Sequence, residues 1–193
     1  MIRSKQDYIR YRHADRVSLG SPRRWAGLIT NEIYLFQSKL RKLEYAMNCN
    51  RFYLVVLFRR FQYKRMSVKL GFSISPNTFG PGLSIAHRGN IIVNGGAKIG
   101  ENCRIHVGVN IGTEAGKSSA APTIGNNCYI GPGAKIFGTI KIGPDTVIGA
   151  NSVVNKSFPK GSQTIAGVPA RVVSSKSSKN LLIEGFKKQV KRK

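Results

Sequence analysis

Between Ile124 and Val154 an aliphatic side chain returns at every sixth residue: Ile124, Ile130, Ile136, Ile142, Ile148 and Val154. Glycine directly follows Ile124, Ile130, Ile142 and Ile148, and follows Ile136 after one aromatic residue. Ile99, Ile105 and Ile111 keep the same beat before the segment TEAGKSSAAP at 113–122 interrupts it. A period of six fits neither the 3.6-residue repeat of a helix nor the two-residue alternation of a flat strand. It fits a chain that turns a corner every six residues, so that each aliphatic side chain points to a common axis. Three such sides make one coil of a prism. The beat from Ile99 to Val154 predicts about three coils, and residues 74–93 predict one more. Gly100, Asn102, Gly125, Asn126, Asn127, Gly131, Gly133, Gly143 and Gly149 fall where corners are expected to need unusual backbone angles. Cys103 and Cys128 each precede a beat position by two and are expected inside the prism.

Upstream the pattern is different. NEIYLFQSKLRKLEYAM places apolar residues at 33, 36, 40, 43 and 47, which is helical spacing. RFYLVVLFRRFQYKRM is apolar, aromatic and basic together. Two readings fit it: a helix packed on its own domain or a neighbouring subunit, or one lying on a membrane surface. At Gly71 the composition turns to Gly, Pro, Asn and β-branched residues. The organisation expected is a helical segment over 1–70, a repeat domain over 71–173 and a basic tail over 174–193, mobile apart from a short helix.

Charge narrows the partners. The chain has 32 Lys and Arg against 8 Asp and Glu, a formal net charge of +24, which favours an anionic ligand or surface. Nucleic acid is disfavoured, because no recognition module, aromatic-basic platform or zinc pattern accompanies the charge. Three cysteines without metal-ligand spacing suggest reduced thiols and a cytoplasmic protein, with no metal expected. The N-terminal MIRSKQDYIRYRHADR has no apolar signal region, and FYLVVLF at 52–58 is too short to span a bilayer.

The repeat, with its closing phrase IAGVPARVV at 165–173, resembles the hexapeptide-repeat acyltransferases. That resemblance implies a mainly β fold, a left-handed parallel β-helix carrying a helical N-terminal segment, and assembly as a homotrimer. Within that family, GPGLSIAHRGNIIVNGGAKIGENCRIHVGVNIGT at 80–113 is similar to the serine acetyltransferases, whose active-site histidine matches His87. The resemblance departs at four places. Ala86 stands where those enzymes carry an Asp before the histidine, and Ala120 and Ala121 stand where they carry an Arg-His pair. Ser73 matches an Asp that orients the catalytic histidine. The groups replaced at 86, 120 and 121 hold the charged ends of serine, and a zwitterion needs partners for both.

Acetyl transfer from a thioester to a hydroxyl needs a base, oxyanion donors and two aligned substrates. Histidine is the side chain best tuned for the base near neutral pH. His87 is the expected base. His106 falls near the same prism edge, where it reads either as a substrate-binding or orienting group or as a plain outward-facing residue, and His13 is left as a surface residue. Acetyl-CoA, the cosubstrate implied, is expected in a groove between neighbouring prisms, beside Gly112, Thr113, Gly131, Ala134, Gly149 and Ala150. Its phosphates are expected at Lys156, Lys160 and Arg171, and the oxyanion at the Gly112 and Thr113 amides. The leading expectation is acetylation of a sugar hydroxyl in surface polysaccharide synthesis; the alternatives are serine O-acetylation for cysteine synthesis and a noncatalytic or nucleic-acid-binding β-helix. Basic ends would suit a glycan or the inner face of the cell membrane.

Overall fold

The computed structural model describes residues 1–20, 31–49, 52–117 and 120–186. Among the described residues three helices, α1 (Lys5–Ser18), α2 (Glu32–Cys49) and α3 (Tyr53–Leu70), precede fourteen short strands. The strands wind into a left-handed parallel β-helix of triangular section. Face I is the ladder β1 (Phe72–Ile74), β3 (Ile91–Val93), β6 (Asn110–Gly112), β9 (Lys135–Phe137) and β12 (Val153–Val154). Face II is β4 (Lys98–Ile99), β7 (Thr123–Ile124) and β10 (Lys141–Ile142), extended at its two ends by bridges from Phe79 and Phe158. Face III is β2 (Ser84–Ile85), β5 (Arg104–Ile105), β8 (Tyr129–Ile130), β11 (Val147–Ile148) and β13 (Thr164–Gly167).

The register shows what the beat encodes. Ile74, Val93, Ile111, Ile136 and Val154 are stacked partners on face I, and Ile85, Ile105, Ile130, Ile148 and Ile165 on face III. Phe79, Ile99, Ile124, Ile142 and Phe158 complete face II. The prism therefore has five coils, because Phe79 and Phe158 stand at beat positions that an aliphatic pattern does not mark. All these side chains are buried in one continuous core with Cys103 and Cys128.

The corner between faces II and III corrects one expectation. Asn102, Asn127 and Asp145 do adopt positive φ, at +53°, +54° and +56°, and stack coil upon coil. Asn102 donates to Asn127 Oδ1 at 3.1 Å and Asn127 donates to Asp145 Oδ1 at 3.0 Å. Gly100, Gly125 and Gly143 are there for a different reason, which is space. A Cβ on Gly125 would lie 2.6 Å from the backbone nitrogen of Pro144 in the next coil. At this corner the glycine after the beat position lets coils approach, while the Asn or Asp two residues later makes the turn.

The helices cap the first coil. Arg41 on α2 is wholly buried; its Nε bonds Asp15 Oδ2 of α1 at 2.8 Å and its Nη1 bonds Glu44 Oε2 at 2.9 Å. The same guanidinium donates to the carbonyls of Phe79 and Gly80, and Asp15 accepts from the amides of Gly82 and Leu83. Every polar atom of this buried cluster that faces the prism has a partner there. On α2 Phe36, Leu40 and Leu43 are buried and Ile33 is partly so, as the spacing predicts, but Met47 is exposed past the end of the cap. α3 packs inward through Tyr63, Met66 and Leu70. No described helix is long and apolar enough to cross a membrane.

The tail differs from its expectation. After β13 the chain reverses into the antiparallel β14 (Ala170–Ser174), then runs back along the corner of faces II and III through a 3-10 turn, Lys179–Leu181. Ser178 hydrogen-bonds the Asn127 and Asp145 carbonyls, and Phe186 exchanges two bonds of 2.9 Å with the Asn102 side chain. Residues 175–186 are thus held by the asparagine ladder; 187–193 lie outside the described residues.

Candidate functional site

His87 owes its position to a mismatch between coils. Eight residues separate Ile85 from Val93, whereas six separate Ile105 from Ile111, their partners in the next coil. The Ala86 amide bonds the Ile105 carbonyl, and the Gly108 amide bonds the Asn90 carbonyl. A Cβ on Gly89 would meet Val107 Cγ2. The two additional residues are therefore His87 and Arg88, pushed outward at the edge between faces III and I. Val107 lies over Gly89.

His87 is exposed, and its ring has no hydrogen-bond partner among the described residues. His106 lies one coil on along the same edge, with the ring centroids 6.5 Å apart. His106 is buried rather than outward-facing. Its Nδ1 is 2.9 Å from the Ile130 carbonyl, which can only accept, so the proton sits on Nδ1. Nε2 then accepts from the Tyr129 hydroxyl at 3.3 Å. Desolvation by burial holds the His106 pKa below its ordinary 6.5, helped by the Arg104 and His87 charges and opposed by the Ile130 bond. With both nitrogens engaged, a neutral His106 packs at the edge beside His87. Tyr129 was not singled out from the sequence. The 113–122 insertion hides that it stands in register with Arg104 and Ser84 on face III.

The positions flagged for the cosubstrate divide among three edges. Gly131, Gly149 and Ala150 continue the His87 edge below His106. At Gly131 and Gly149 an added Cβ would crowd the next coil, 2.7 Å from the Ile148 carbonyl oxygen and 2.9 Å from Ala166 Cβ. Ala134 is wholly buried in the core, where its amide bonds the Gly131 carbonyl and its carbonyl accepts from Asn110. Gly112 and Thr113 end β6 and begin the loop at the edge between faces I and II, one edge away from His87 in the same chain. Lys156 shares that edge, near the Phe158 ring. Lys160 lies on the third edge and Arg171 is exposed on β14. The three cations thus form no single cluster within one chain.

The alanines behave as small packing residues. Ala120 is buried, and Ala121 covers Gly96. Ser73 is exposed on face I with no bond to His87. Arg88, next to His87 in the sequence, is joined to Glu32 at 2.8 Å, and Lys69 lies 2.7 Å from the same carboxylate. Those two cations hold the Glu32 carboxyl below its ordinary range, the Lys69 bond foremost. Among the described residues no cluster of His, Cys, Asp and Glu could hold a metal.

Residues 121–156 match the family described as bacterial transferase hexapeptide (six repeats). A serine acetyltransferase of Helicobacter pylori is 34% identical over 135 residues, which are 69% of this chain and 77% of that protein. The chain belongs to the serine acetyltransferase family. A second member, from Synechococcus elongatus, is 39% identical over 106 residues, 53% of this chain but only 43% of that longer enzyme. Among solved structures, the serine acetyltransferase of Brucella abortus superposes with a TM-score of 0.71 at 27% identity, over 90% of this chain and 69% of the other. The structural likeness thus extends over the helical cap as well as the prism, beyond the matched repeats.

Proposed function

We propose that this protein is an acetyl-CoA-dependent O-acetyltransferase whose acceptor is the hydroxyl of L-serine, with His87 as the general base. The observation that carries the reading is His87 itself, displaced outward by the two-residue excess of its coil and left with free ring nitrogens, in a chain of the serine acetyltransferase family. A neutral His87 takes the acceptor proton as the oxygen attacks the thioester carbonyl. The C–O bond forms, the C–S bond breaks, and the same proton passes from the imidazolium to the departing sulfur of CoA. Backbone donors must meet the oxyanion of the tetrahedral intermediate. Gly112 and Thr113 can serve only from a neighbouring chain, because within one chain they lie on the next edge. A homotrimer that sets one chain's face I/II edge against another's His87 edge completes the site, with Lys156 brought toward the CoA phosphates. We place the protein in the cytoplasm, in keeping with its free thiols.

A second reading keeps the chemistry and changes the acceptor to a neutral sugar hydroxyl. Ala86, Ala120 and Ala121 favour it, because none of them can pair with a charged end of serine. The test is CoA thiol release from acetyl-CoA with L-serine, and separately with nucleotide sugars and oligosaccharides, beside His87→Ala. Serine-dependent release that disappears in His87→Ala supports the first reading. Release with sugars only replaces it by the second. CoA binding without release for any acceptor would overturn both.

A further inference from the structure

α3 is apolar on two opposite sides. One side, Tyr63, Met66 and Leu70, packs on the cap and first coil. The other, Leu54, Leu57, Phe58, Phe61 and Val68, recurs at near-helical spacing and is open to solvent, with Leu54 78% and Val68 71% exposed. Arg60 and Lys64 border this second stripe and Arg65 stands within it between Phe61 and Val68, all exposed, with the Arg65 guanidinium 5.8 Å over the Phe61 ring. The helix carries no acidic residue. An apolar stripe held open to water costs free energy unless something covers it.

We infer that α3 lies in the interface of an anionic phospholipid bilayer, its second stripe among the acyl chains and its flanking cations at the phosphates. Charge complementarity selects this occupant over a second copy of the chain. Of the acidic side chains, Asp7, Asp15, Glu32, Glu44 and Glu114 are already ion-paired within the chain, and Asp145 accepts from Asn127. Only Glu101 and Glu184 would be free to meet the cations of α3 on a neighbour whose net charge is +24. A bilayer with acidic headgroups offers both the apolar layer and the negative charge. The inference is independent of whether serine or a sugar is the acceptor.

The experiment is vesicle flotation of the full chain, with phosphatidylcholine alone and with phosphatidylglycerol added. Because so basic a protein binds any acidic surface loosely, the variants decide. The expected result is binding to the acidic vesicles, reduced at least ten-fold by Leu54→Ser with Phe61→Ser. Lys98→Gln with Lys141→Gln, which remove two cations from the prism, should leave it within two-fold. A Phe61→Trp protein should show blue-shifted emission on adding acidic vesicles. Equal binding by the Leu54→Ser, Phe61→Ser protein, or Phe61→Trp emission that does not shift, overturns the inference. So does a fall in oligomeric mass on making Leu54→Ser and Phe61→Ser, which would assign the stripe to a second copy.

Discussion

His87 and His106 are both histidines of one edge, and their surroundings give them different work. For an exposed base, loss of the imidazole removes proton transfer while leaving the prism intact; His87→Ala should lower kcat by roughly 10²–10⁴-fold with an unchanged melting curve. His106 should show the reverse pattern in its pH dependence. Its folded pKa lies below the ordinary 6.5, so its neutral form stabilises the fold fully above 6.5, and that contribution is lost as pH falls from 6.5 through the lower folded value. Urea denaturation from pH 7.5 to 5 should therefore show stability falling on acidification, with a shallower fall in His106→Gln. Identical slopes for the two proteins would show that the buried ring does not titrate in this range.

At the level of the element, coil stacking and cap attachment rest on different physics. Ile130 is a wholly buried beat residue between Ile105 and Ile148, and truncation to alanine leaves a cavity that rigid neighbouring coils cannot fill. The cost should be about 2–5 kcal/mol by urea denaturation. Arg41→Met instead strands Asp15 and Glu44 as buried, unpaired carboxylates, and a loss of roughly 3–5 kcal/mol is expected. Adding Asp15→Asn and Glu44→Gln to Arg41→Met should restore part of it; no restoration would mean that charge burial is not the source. These two elements also differ in how far the sequence discloses them. The beat is legible because each coil repeats one local rule, so nine positions predict most of three ladders. Phe79 and Phe158 escape because an end coil can use an aromatic where inner coils need an aliphatic. The Asp15, Arg41 and Glu44 cluster escapes because charged residues at helical spacing look like a solvated face until a long-range partner, here the Phe79 and Gly80 carbonyls, is known. At the candidate site, the sequence offers His87 through its neighbours, whereas Tyr129 needs the register across an insertion.

For the molecule as a whole, the two ends of the described chain close on each other across the prism. Phe186 is bonded to Asn102, Gly185 donates to Ser18 Oγ on α1 at 3.0 Å, and Arg10 of α1 lies over the Phe186 ring. Asn102 joins this strap to the corner ladder while holding a positive φ. Asn102→Ala loses the side-chain bonds and also forces a Cβ-bearing residue without local hydrogen bonding into the left-handed region. Asn102→Gly loses the same bonds at no backbone cost. Both should release the strap, seen as faster tryptic cleavage at Lys176 and Lys179, because both lack the amide that Phe186 uses. Asn102→Ala should be the less stable of the two by about 1 kcal/mol in urea. If the two variants are equally stable, the corner relaxes to accept alanine. If cleavage at those lysines is unchanged in both, then Ser178, bonded to Asn127 and Asp145 farther along the same corner, holds the strap without Asn102.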